Sequence, residues 1–384
     1  MQLQLPEPSA DALQASQALQ TRIADEIRLQ GGWISFARYM ELALYAPGLG
    51  YYSGGAAKLG KDGDFTTAPE ITPLFGKTLA QAAQDLLRQS APQILEFGAG
   101  TGRLAFDVLT ELKACGVRLD SYGIVELSGE LRARQQELLR GFPEVRWLDQ
   151  LPDSFSGVVL GNEVLDAMPV HLVVKAGGAW LERGLIWQDG KPAYEGRPGS
   201  ATLETLIAQI PDADELPDGY LTEVHPHSRA FMASLARMMV AGGTAAAILV
   251  DYGFPAAEYY LPQRNQGTLM CHYRHHAHPD PLYLPGLQDI TSHVDFTAMA
   301  CAAVDAGAEL LGYTSQAAFL LAAGLGEILM RTPPSDPLKF LPQTNAVQRL
   351  TSPAEMGELF KVMVIGKGVQ LAEAFARGDR SHRL

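Results

Sequence analysis

The chain has 384 residues, of which 47% are hydrophobic and 19% are charged, and its formal net charge is −13. This composition is typical of a folded globular protein, and the length allows one elaborated domain or two smaller ones. The negative charge disfavours a nucleic acid as partner, because phosphate binding requires clustered Lys and Arg. The longest apolar run, 238–250, is shorter than the roughly 20 residues of a membrane span.

The first part of the chain predicts a helical cap followed by an ordered loop. Residues 11–44 predict helix, because apolar side chains recur at roughly helical intervals: Leu13, Leu19, Ile23, Ile27 and Phe36. No Lys or Arg precedes Arg22, which predicts neither a signal peptide nor a transit peptide. Residues 46–67 are rich in glycine, contain Tyr51 and Tyr52, and directly follow Tyr45. This composition is typical of loops that carry binding residues.

Strands and helices alternate after Pro92, which predicts a parallel sheet with helices on both faces. The predicted strands are 94–97, 121–125, 145–148, 157–160 and 245–250, with two closing strands at 309–312 and 359–365. The predicted fold is α/β and Rossmann-like, with a seven-stranded sheet whose first five strands take the order 3-2-1-4-5. We expect a cap over 1–92 and a core over 93–384, with insertions at about 168–237 and 254–300.

A glycine loop follows the first core strand. Gly98, Gly100 and Gly102 are spaced G-x-G-x-G, and such glycines let the backbone approach a ligand at the start of a helix. The dinucleotide fingerprint, G-x-G-x-x-G, has its last glycine one residue later. Glu96 precedes the loop, and a carboxylate there suits a ligand with ammonium and sulfonium groups and repels a pyrophosphate. The loop, with Ala99, resembles the cofactor loop of class I methyltransferases; an unrelated glycine turn is the alternative.

Acidic residues follow the second and third strands. Glu126 comes 24 residues after Gly102, where a carboxylate can accept hydrogen bonds from two ribose hydroxyls. We place Leu127 in the same site. Asp149 is a candidate for a contact with the adenine ring. The alternative, which the sequence favours equally, is that Asp149 is only a turn residue. Glu126 indicates a nucleoside ligand, but it does not distinguish NAD from S-adenosylmethionine, because both contain adenosine. The alternative is that Glu126 is only a solvated acidic residue at the end of the strand.

The fourth strand runs into Gly161-Asn162-Glu163-Val164-Leu165-Asp166. Ligands of open α/β sheets lie beyond the carboxyl ends of the strands, so Asn162, Glu163 and Asp166 are candidates for the side of the methyl acceptor, and Asn162 for the cofactor as well. The alternative is a helix cap, with Asn162 as cap and Glu163 in the first turn. Glu223 and His293 are weaker catalytic candidates, His293 as a proton acceptor.

A histidine-rich run, with His272, His275, His276 and His278, invites a metal interpretation. The spacing matches no standard zinc site, and no cysteine or acidic cluster completes it. We therefore expect no metal. The three cysteines, Cys115, Cys271 and Cys301, are widely spaced and predict reduced thiols and a cytoplasmic protein.

Several segments together resemble one family, the MidA-type methyltransferases, whose mitochondrial members are arginine methyltransferases that assist assembly of respiratory complex I. They are the tyrosine-containing segment 39–52, the run Gly63-Asp64-Phe65-Thr66-Thr67-Ala68-Pro69-Glu70-Ile71, the glycine loop, and the segments 162–169, 251–253, 267–269, 289–296 and 357–362. The resemblance implies a class I methyltransferase core with a helical N-terminal cap. It also implies a cofactor pocket that includes Asp64, Phe65, Thr66 and Thr67.

We therefore expect S-adenosyl-L-methionine as cofactor and an arginine of a protein substrate as acceptor, by resemblance a subunit of respiratory complex I. The alternatives are a methyltransferase acting on a small molecule or another side chain, and a non-catalytic assembly factor that keeps the cofactor fold. An NAD-dependent oxidoreductase is a further alternative, but this chain lacks the third glycine at the position that the dinucleotide fingerprint requires. The sequence is compatible with a homodimer and does not decide the oligomeric state.

Overall fold

The computed structural model describes residues 5–54 and 66–384. Its helices are α1 Ala10–Leu29, α2 Phe36–Tyr45, α3 Ala68–Ile71, α4 Pro73–Leu87, α5 Arg103–Ala114, α6 Gly129–Leu138, α7 Ala201–Ile207, α8 Pro226–Gly242, α9 Ala256–Tyr259, α10 Phe296–Asp305, α11 Gln316–Ala322, α12 Leu325–Leu329, α13 Pro337–Thr351 and α14 Met356–Leu359. None of the helices within these residues combines the length and the apolar character that crossing a bilayer requires.

The strands are β1 Ile34–Ser35, β2 Gln93–Phe97, β3 Ser121–Val125, β4 Val145–Leu148, β5 Gly157–Asn162, β6 His171–Ala176, β7 Ala179–Gln188, β8 Lys191–Arg197, β9 Leu221–Val224, β10 Ala245–Phe254, β11 Met270–Tyr273, β12 His276–His278, β13 Asp289–Thr291, β14 Val294–Asp295, β15 Glu309–Ser315 and β16 Phe360–Lys367. Two short 3-10 helices follow β16, at Glu373–Gly378 and Ser381–Arg383.

The chain forms two compact units, each assembled from separate stretches of sequence. The first unit comprises the described residues of Met1–Phe65, Leu165–Ala230 and Phe254–Ala298. The second unit comprises Thr66–Val164, Phe231–Gly253 and Met299–Leu384. Most of the two segments predicted as insertions therefore belongs to the first unit, whereas α3 and α4, from the predicted cap, belong to the second.

The second unit is built on a mostly parallel sheet with the strand order β15-β16-β10-β5-β2-β3-β4. The five strands from β10 to β4 run parallel, and β16 is antiparallel to both of its neighbours. Numbered along the chain, the parallel strands have the predicted order 3-2-1-4-5, and the two closing strands are present. The prediction of a class I methyltransferase sheet is confirmed.

Helices cover this sheet because their apolar residues recur on one face. In α5 the side chains of Leu104, Val108, Leu109 and Leu112 are all buried, and they pack in one cluster with residues of α4 and of the parallel strands. Burying one such side chain contributes about 1.5–3 kcal/mol. The helix that follows the glycine loop is thus held firmly against the sheet, which fixes the position of its first turn.

The first unit is mainly antiparallel. One sheet has the order β1-β7-β6-β9, with β8 pairing with β7, and a second sheet has the order β12-β11-β13. In α1 the buried residues Leu19, Ile23 and Ile27 are spaced by four and form the face that packs inward. The prediction of helix over 11–44 is wrong between α1 and α2, because Gly31 and Gly32 take φ values of 79° and 90°, which end a right-handed helix.

Candidate active site

The glycine loop joins β2 to α5 at the carboxyl edge of the parallel sheet. Gly98, Gly100 and Gly102 have φ values of 62°, 55° and 86°, which lie in the left-handed region that favours glycine. No side chain caps the N-terminus of α5 at Gly102. The first N–H groups of that helix therefore remain available to a ligand, and the positive end of the helix dipole points to the same place.

The Glu126 side chain, just after β3, is oriented by two donors. Its Oε1 accepts a hydrogen bond from the Ser128 backbone N–H at 2.8 Å, and its Oε2 accepts one from Gln135 Nε2 at 2.9 Å. Gln135 Nε2 also donates to the Gly100 carbonyl oxygen at 2.8 Å, so Glu126 lies beside the glycine loop. Burial raises the pKa of Glu126, whereas the bonds from Ser128 and Gln135 lower it.

The two other predicted adenosine contacts lie on the surface of the second unit. Leu127 is 82% exposed, so its apolar side chain is accessible next to Glu126. The Asp149 side chain is also exposed, and its Oδ1 pairs with Arg132 Nη1 at 2.6 Å. Asp149 is thus accessible to a ligand, and its role towards adenine stays a prediction.

Glu96 does not provide the charge that the sequence argument assigned to it. Its side chain is 1% exposed and accepts a hydrogen bond from the Tyr122 hydroxyl at 2.7 Å, between β2 and β3. Burial raises the pKa of Glu96 to about 8, so the carboxyl group is mostly protonated at pH 7. The expected repulsion of a pyrophosphate by Glu96 is therefore wrong. The position of β2 explains this, because β2 is a central strand of the parallel sheet and is buried on both faces.

The Gly63–Ile71 run is only partly described. Asp64 and Phe65 lie outside the described residues, and Thr66 and Thr67 directly precede α3. Glu70, in α3, accepts a hydrogen bond from the Thr101 hydroxyl of the glycine loop. Glu70 was absent from the predicted site, although its place in the family motif was a signal that could have revealed it.

Asn162, the last residue of β5, and Glu163 form a strained turn. Glu163 has a φ of 53°, which is uncommon for a residue other than glycine, and its backbone N–H donates to the Val250 carbonyl at 2.9 Å. The Val164 N–H donates to Asp251 Oδ2 at 3.1 Å, and Asn162 Nδ2 donates to Glu163 Oε1 at 3.0 Å. Bends and turns follow, so the alternative of a helix capped by Asn162 is wrong.

The remaining catalytic candidates, Asp166, Glu223 and His293, belong to the first unit. Asp166 is buried, and its backbone carbonyl accepts from the Ser292 N–H at 3.0 Å. The His293 ring is half-buried and lies 5.1 Å from the Phe254 ring, centroid to centroid, and the catalytic roles of Asp166 and His293 stay predictions.

Glu223 is fully buried, and four hydrogen bonds occupy its carboxyl group. The donors are the Thr268 N–H at 2.7 Å, the Thr268 hydroxyl at 3.0 Å, the Leu269 N–H at 3.2 Å and the Tyr259 hydroxyl at 2.8 Å. A carboxyl group with these partners anchors the 267–269 loop. The catalytic role of Glu223 stays a prediction, beside this structural role in holding the loop.

The histidine-rich run forms the β11–β12 hairpin, whose turn consists of Arg274 and His275 with φ values of 47° and 63°. His278 is buried, and its Nδ1 accepts from the Asp280 N–H at 3.3 Å. In the part of the chain that the structure describes, no three His, Cys, Asp or Glu side chains come together as metal ligands do.

Comparison with known proteins adds to this geometry. The sequence profile of a family of S-adenosyl-L-methionine-dependent methyltransferases matches residues 74–314. The protein arginine methyltransferase NDUFAF7 homolog of Caenorhabditis elegans is 30% identical over 80% of this chain and 77% of its own length. The protein arginine methyltransferase NDUFAF7 of Danio rerio is 29% identical over 89% of this chain and 85% of its own.

A crystal structure from Burkholderia thailandensis is similar over almost the whole chain. It is 53% identical, with a TM-score of 0.92, and the match covers 99% of this chain and 100% of that one. That protein is bound to S-adenosyl-homocysteine. In the present chain, the uncapped start of α5, the paired acceptor oxygens of Glu126 and the exposed apolar Leu127 together fit an adenosine ligand.

Proposed function

The chain belongs to the family of S-adenosyl-L-methionine-dependent methyltransferases, and from this premise we propose that it methylates an arginine side chain of a protein. Two relatives, from Caenorhabditis elegans and Danio rerio, are named protein arginine methyltransferases, which supports a protein arginine as acceptor. The net charge of −13 favours encounter with a cationic acceptor segment. A subunit of respiratory complex I as the specific acceptor and a cytoplasmic location both stay predictions from the sequence.

The chemistry makes two demands on the acceptor side. S-adenosylmethionine supplies an electrophilic methyl group, whereas arginine is a poor nucleophile because its guanidinium has a pKa above about 12. The enzyme must therefore hold the planar cation with one nitrogen directed at the methyl group, and a proton must leave that nitrogen. A carboxylate meets the first demand, since it binds a guanidinium through two parallel hydrogen bonds.

The observation that carries this proposal is the conformation of Glu163. Its left-handed backbone, with φ of 53°, costs about 1–3 kcal/mol and is kept in place by the hydrogen bonds to the end of β10. β5 pairs directly with β2, the strand that leads into the glycine loop. A strained, half-buried carboxylate beside a cofactor loop is typical of a residue placed for binding or catalysis.

Asn162 adds a second polar group at the same turn. Its side chain is 9% exposed, and its Oδ1 has no hydrogen-bond partner among the described residues. Buried polar atoms are nearly always hydrogen-bonded, so this acceptor is open to a donor from a water or from a bound molecule. We assign Asn162 Oδ1 to an N–H group of the acceptor or of the cofactor, with Glu163 as the clamp for the guanidinium.

Glu163→Gln tests the arginine assignment. The amide keeps the size of the side chain but loses the charge and one acceptor, so we expect transfer to fall at least about a hundredfold, as for loss of a positioned acid–base or clamping group. S-adenosylhomocysteine binding and the melting temperature should change little. Glu137→Gln, an exposed carboxylate on α6, is the matched control.

The assay uses radiolabelled S-adenosylmethionine and a host lysate, with mass spectrometry to identify the modified side chain. Labelled methylarginine in a protein, lost in Glu163→Gln and retained in Glu137→Gln, supports the proposal. Label only on small molecules or on other side chains, or full turnover by Glu163→Gln, contradicts it.

A further inference from the structure

Gln135, which the sequence analysis did not single out, lies between the elements of the cofactor site. It is the buried residue of α6, with 0% exposure, whereas the rest of that helix is half-buried or exposed. Burying an amide costs free energy unless its polar atoms are hydrogen-bonded. A glutamine at the single inward position of a short polar helix therefore needs a reason other than apolar packing.

The Gln135 amide connects three elements that follow one another along the edge of the sheet. Its Nε2 donates to the Gly100 carbonyl at 2.8 Å and to Glu126 Oε2 at 2.9 Å, and its Oε1 accepts from Trp147 Nε1 at 2.9 Å. The indole N–H is only a donor, and a carbonyl and a carboxylate are only acceptors. These partners leave one orientation for the amide, with both N–H groups in use.

We propose that Gln135 is a positioning residue for the cofactor, which holds the Glu126 carboxylate and the Gly100 carbonyl in one fixed arrangement. The proposal depends on the assignment of Glu126 to the ribose hydroxyls. The Ser128 N–H donates to Glu126 Oε1 and Gln135 Nε2 donates to Glu126 Oε2. Together these two hydrogen bonds set the plane of the carboxylate. A carboxylate oxygen accepts more than one hydrogen bond, so both oxygens can still receive a ribose hydroxyl.

Two further observations agree with this role. The hydrogen bond from Gln135 lowers the pKa of Glu126 against the raising effect of burial, so it favours the charged form that binds hydroxyls more strongly. A Cβ atom at Gly102 would lie 3.3 Å from Gln135 Cγ, so α6 packs closely on the glycine loop. A purely structural role, in which Gln135 only fills space between α6 and the loop, is the alternative that the experiment must separate.

The experiment measures binding by calorimetry in Gln135→Met, which removes the amide at similar length, and in Gln136→Met, an exposed control one residue further along α6. The two ligands are S-adenosylhomocysteine and its analogue without the 2′- and 3′-hydroxyls. We expect Gln135→Met to weaken S-adenosylhomocysteine at least about tenfold and the analogue less than about threefold. Gln136→Met should bind both as the unmodified protein does.

A pH profile provides a readout that space-filling does not affect. Binding should weaken as the pH falls and Glu126 becomes protonated, and in Gln135→Met this loss should begin at a higher pH. In the double variant Gln135→Met/Glu126→Gln, the loss should be smaller than the product of the two single losses.

If Gln135→Met does not fold, Gln135→Glu keeps the size and an acceptor for Trp147, and the same ribose-selective loss is expected at pH 8. An equal loss for both ligands, or no loss, overturns the positioning role. If Glu126→Gln also weakens both ligands equally, the ribose assignment is wrong as well. All readouts are of binding alone, so the result does not depend on which acceptor the enzyme methylates.

Discussion

Glu126→Gln is the most direct perturbation of the cofactor site. In the unmodified protein, each carboxylate oxygen accepts one N–H donor, from Ser128 and from Gln135. The amide has a single oxygen, so one of these donors faces an NH2 group, and one ribose hydroxyl loses its acceptor. A hydrogen bond to a charged group contributes about 1.5–3 kcal/mol, which corresponds to a loss of about ten- to a hundredfold in affinity for S-adenosylhomocysteine.

The effect on folding should be much smaller. Burial raises the pKa of Glu126, so the charged group costs desolvation energy in the folded state, and its removal offsets part of the lost hydrogen bonding. We expect calorimetry at pH 7.5 to show the weaker binding, with a melting temperature within a few degrees of the unmodified protein.

The pH dependence has a definite sign. The ionised carboxylate is the stronger acceptor, so affinity should fall as the pH drops through the raised pKa of Glu126, and this acid limb should be absent in Glu126→Gln. Glu137→Gln, on the exposed face of α6, serves as control. An unchanged dissociation constant in Glu126→Gln, with the same acid limb, would show that Glu126 is only a solvated acid at the end of β3.

Three further predictions concern the buried carboxyl groups of Glu96 and Glu223 and the backbone conformation of Gly100. Burial raises the pKa of Glu96 from its ordinary value of 4.5 to about 8, so the stability it contributes is present at low pH and is lost as the pH rises through about 8. Glu96→Gln keeps an acceptor for Tyr122 and should gain about 4 kcal/mol in unfolding free energy, relative to the unmodified protein, between pH 5 and pH 9; an equal difference in urea midpoints at the two pH values contradicts this. Gly100→Val should abolish S-adenosylhomocysteine binding in calorimetry, because a β-branched residue does not accept a φ of 55°, whereas Gly141→Val, at a position with open space, should bind normally. Glu223→Gln should lower the unfolding free energy by about 1–3 kcal/mol in urea titrations, because it disturbs a buried network of hydrogen bonds; a loss of turnover without a loss of stability would instead support its predicted catalytic role.

The strands of the second unit and the glycine loop could be predicted from local sequence. A short apolar run between turn residues predicts a buried strand whatever packs on it, and the run at 121–125 coincides with β3. The G-x-G-x-G spacing predicts positive φ values because only glycine takes them without strain, and all three glycines have them. Glu126 could be placed beside the loop because parallel strands end at one edge of the sheet.

Burial and partners depended on residues far apart in sequence. Nothing near Glu96 in the sequence shows that Tyr122, 26 residues later, supplies a hydroxyl and removes water from around the carboxyl group. Gln135 is one polar residue among many in α6, and only the packing of that helix on the glycine loop brings it to Gly100 and Glu126.

The sequence by itself therefore determined where the parallel strands and the cofactor loop lie along the chain. Apolar periodicity and the conformational demands of glycine act over a few residues, so local sequence is enough to predict them. Only the tertiary structure decided which carboxyl groups are buried, which groups donate to them and which turn holds Glu163 in its strained conformation. These properties depend on solvent exclusion and on hydrogen-bond partners from distant segments, such as Thr268 for Glu223 and Asp251 for the Glu163 turn.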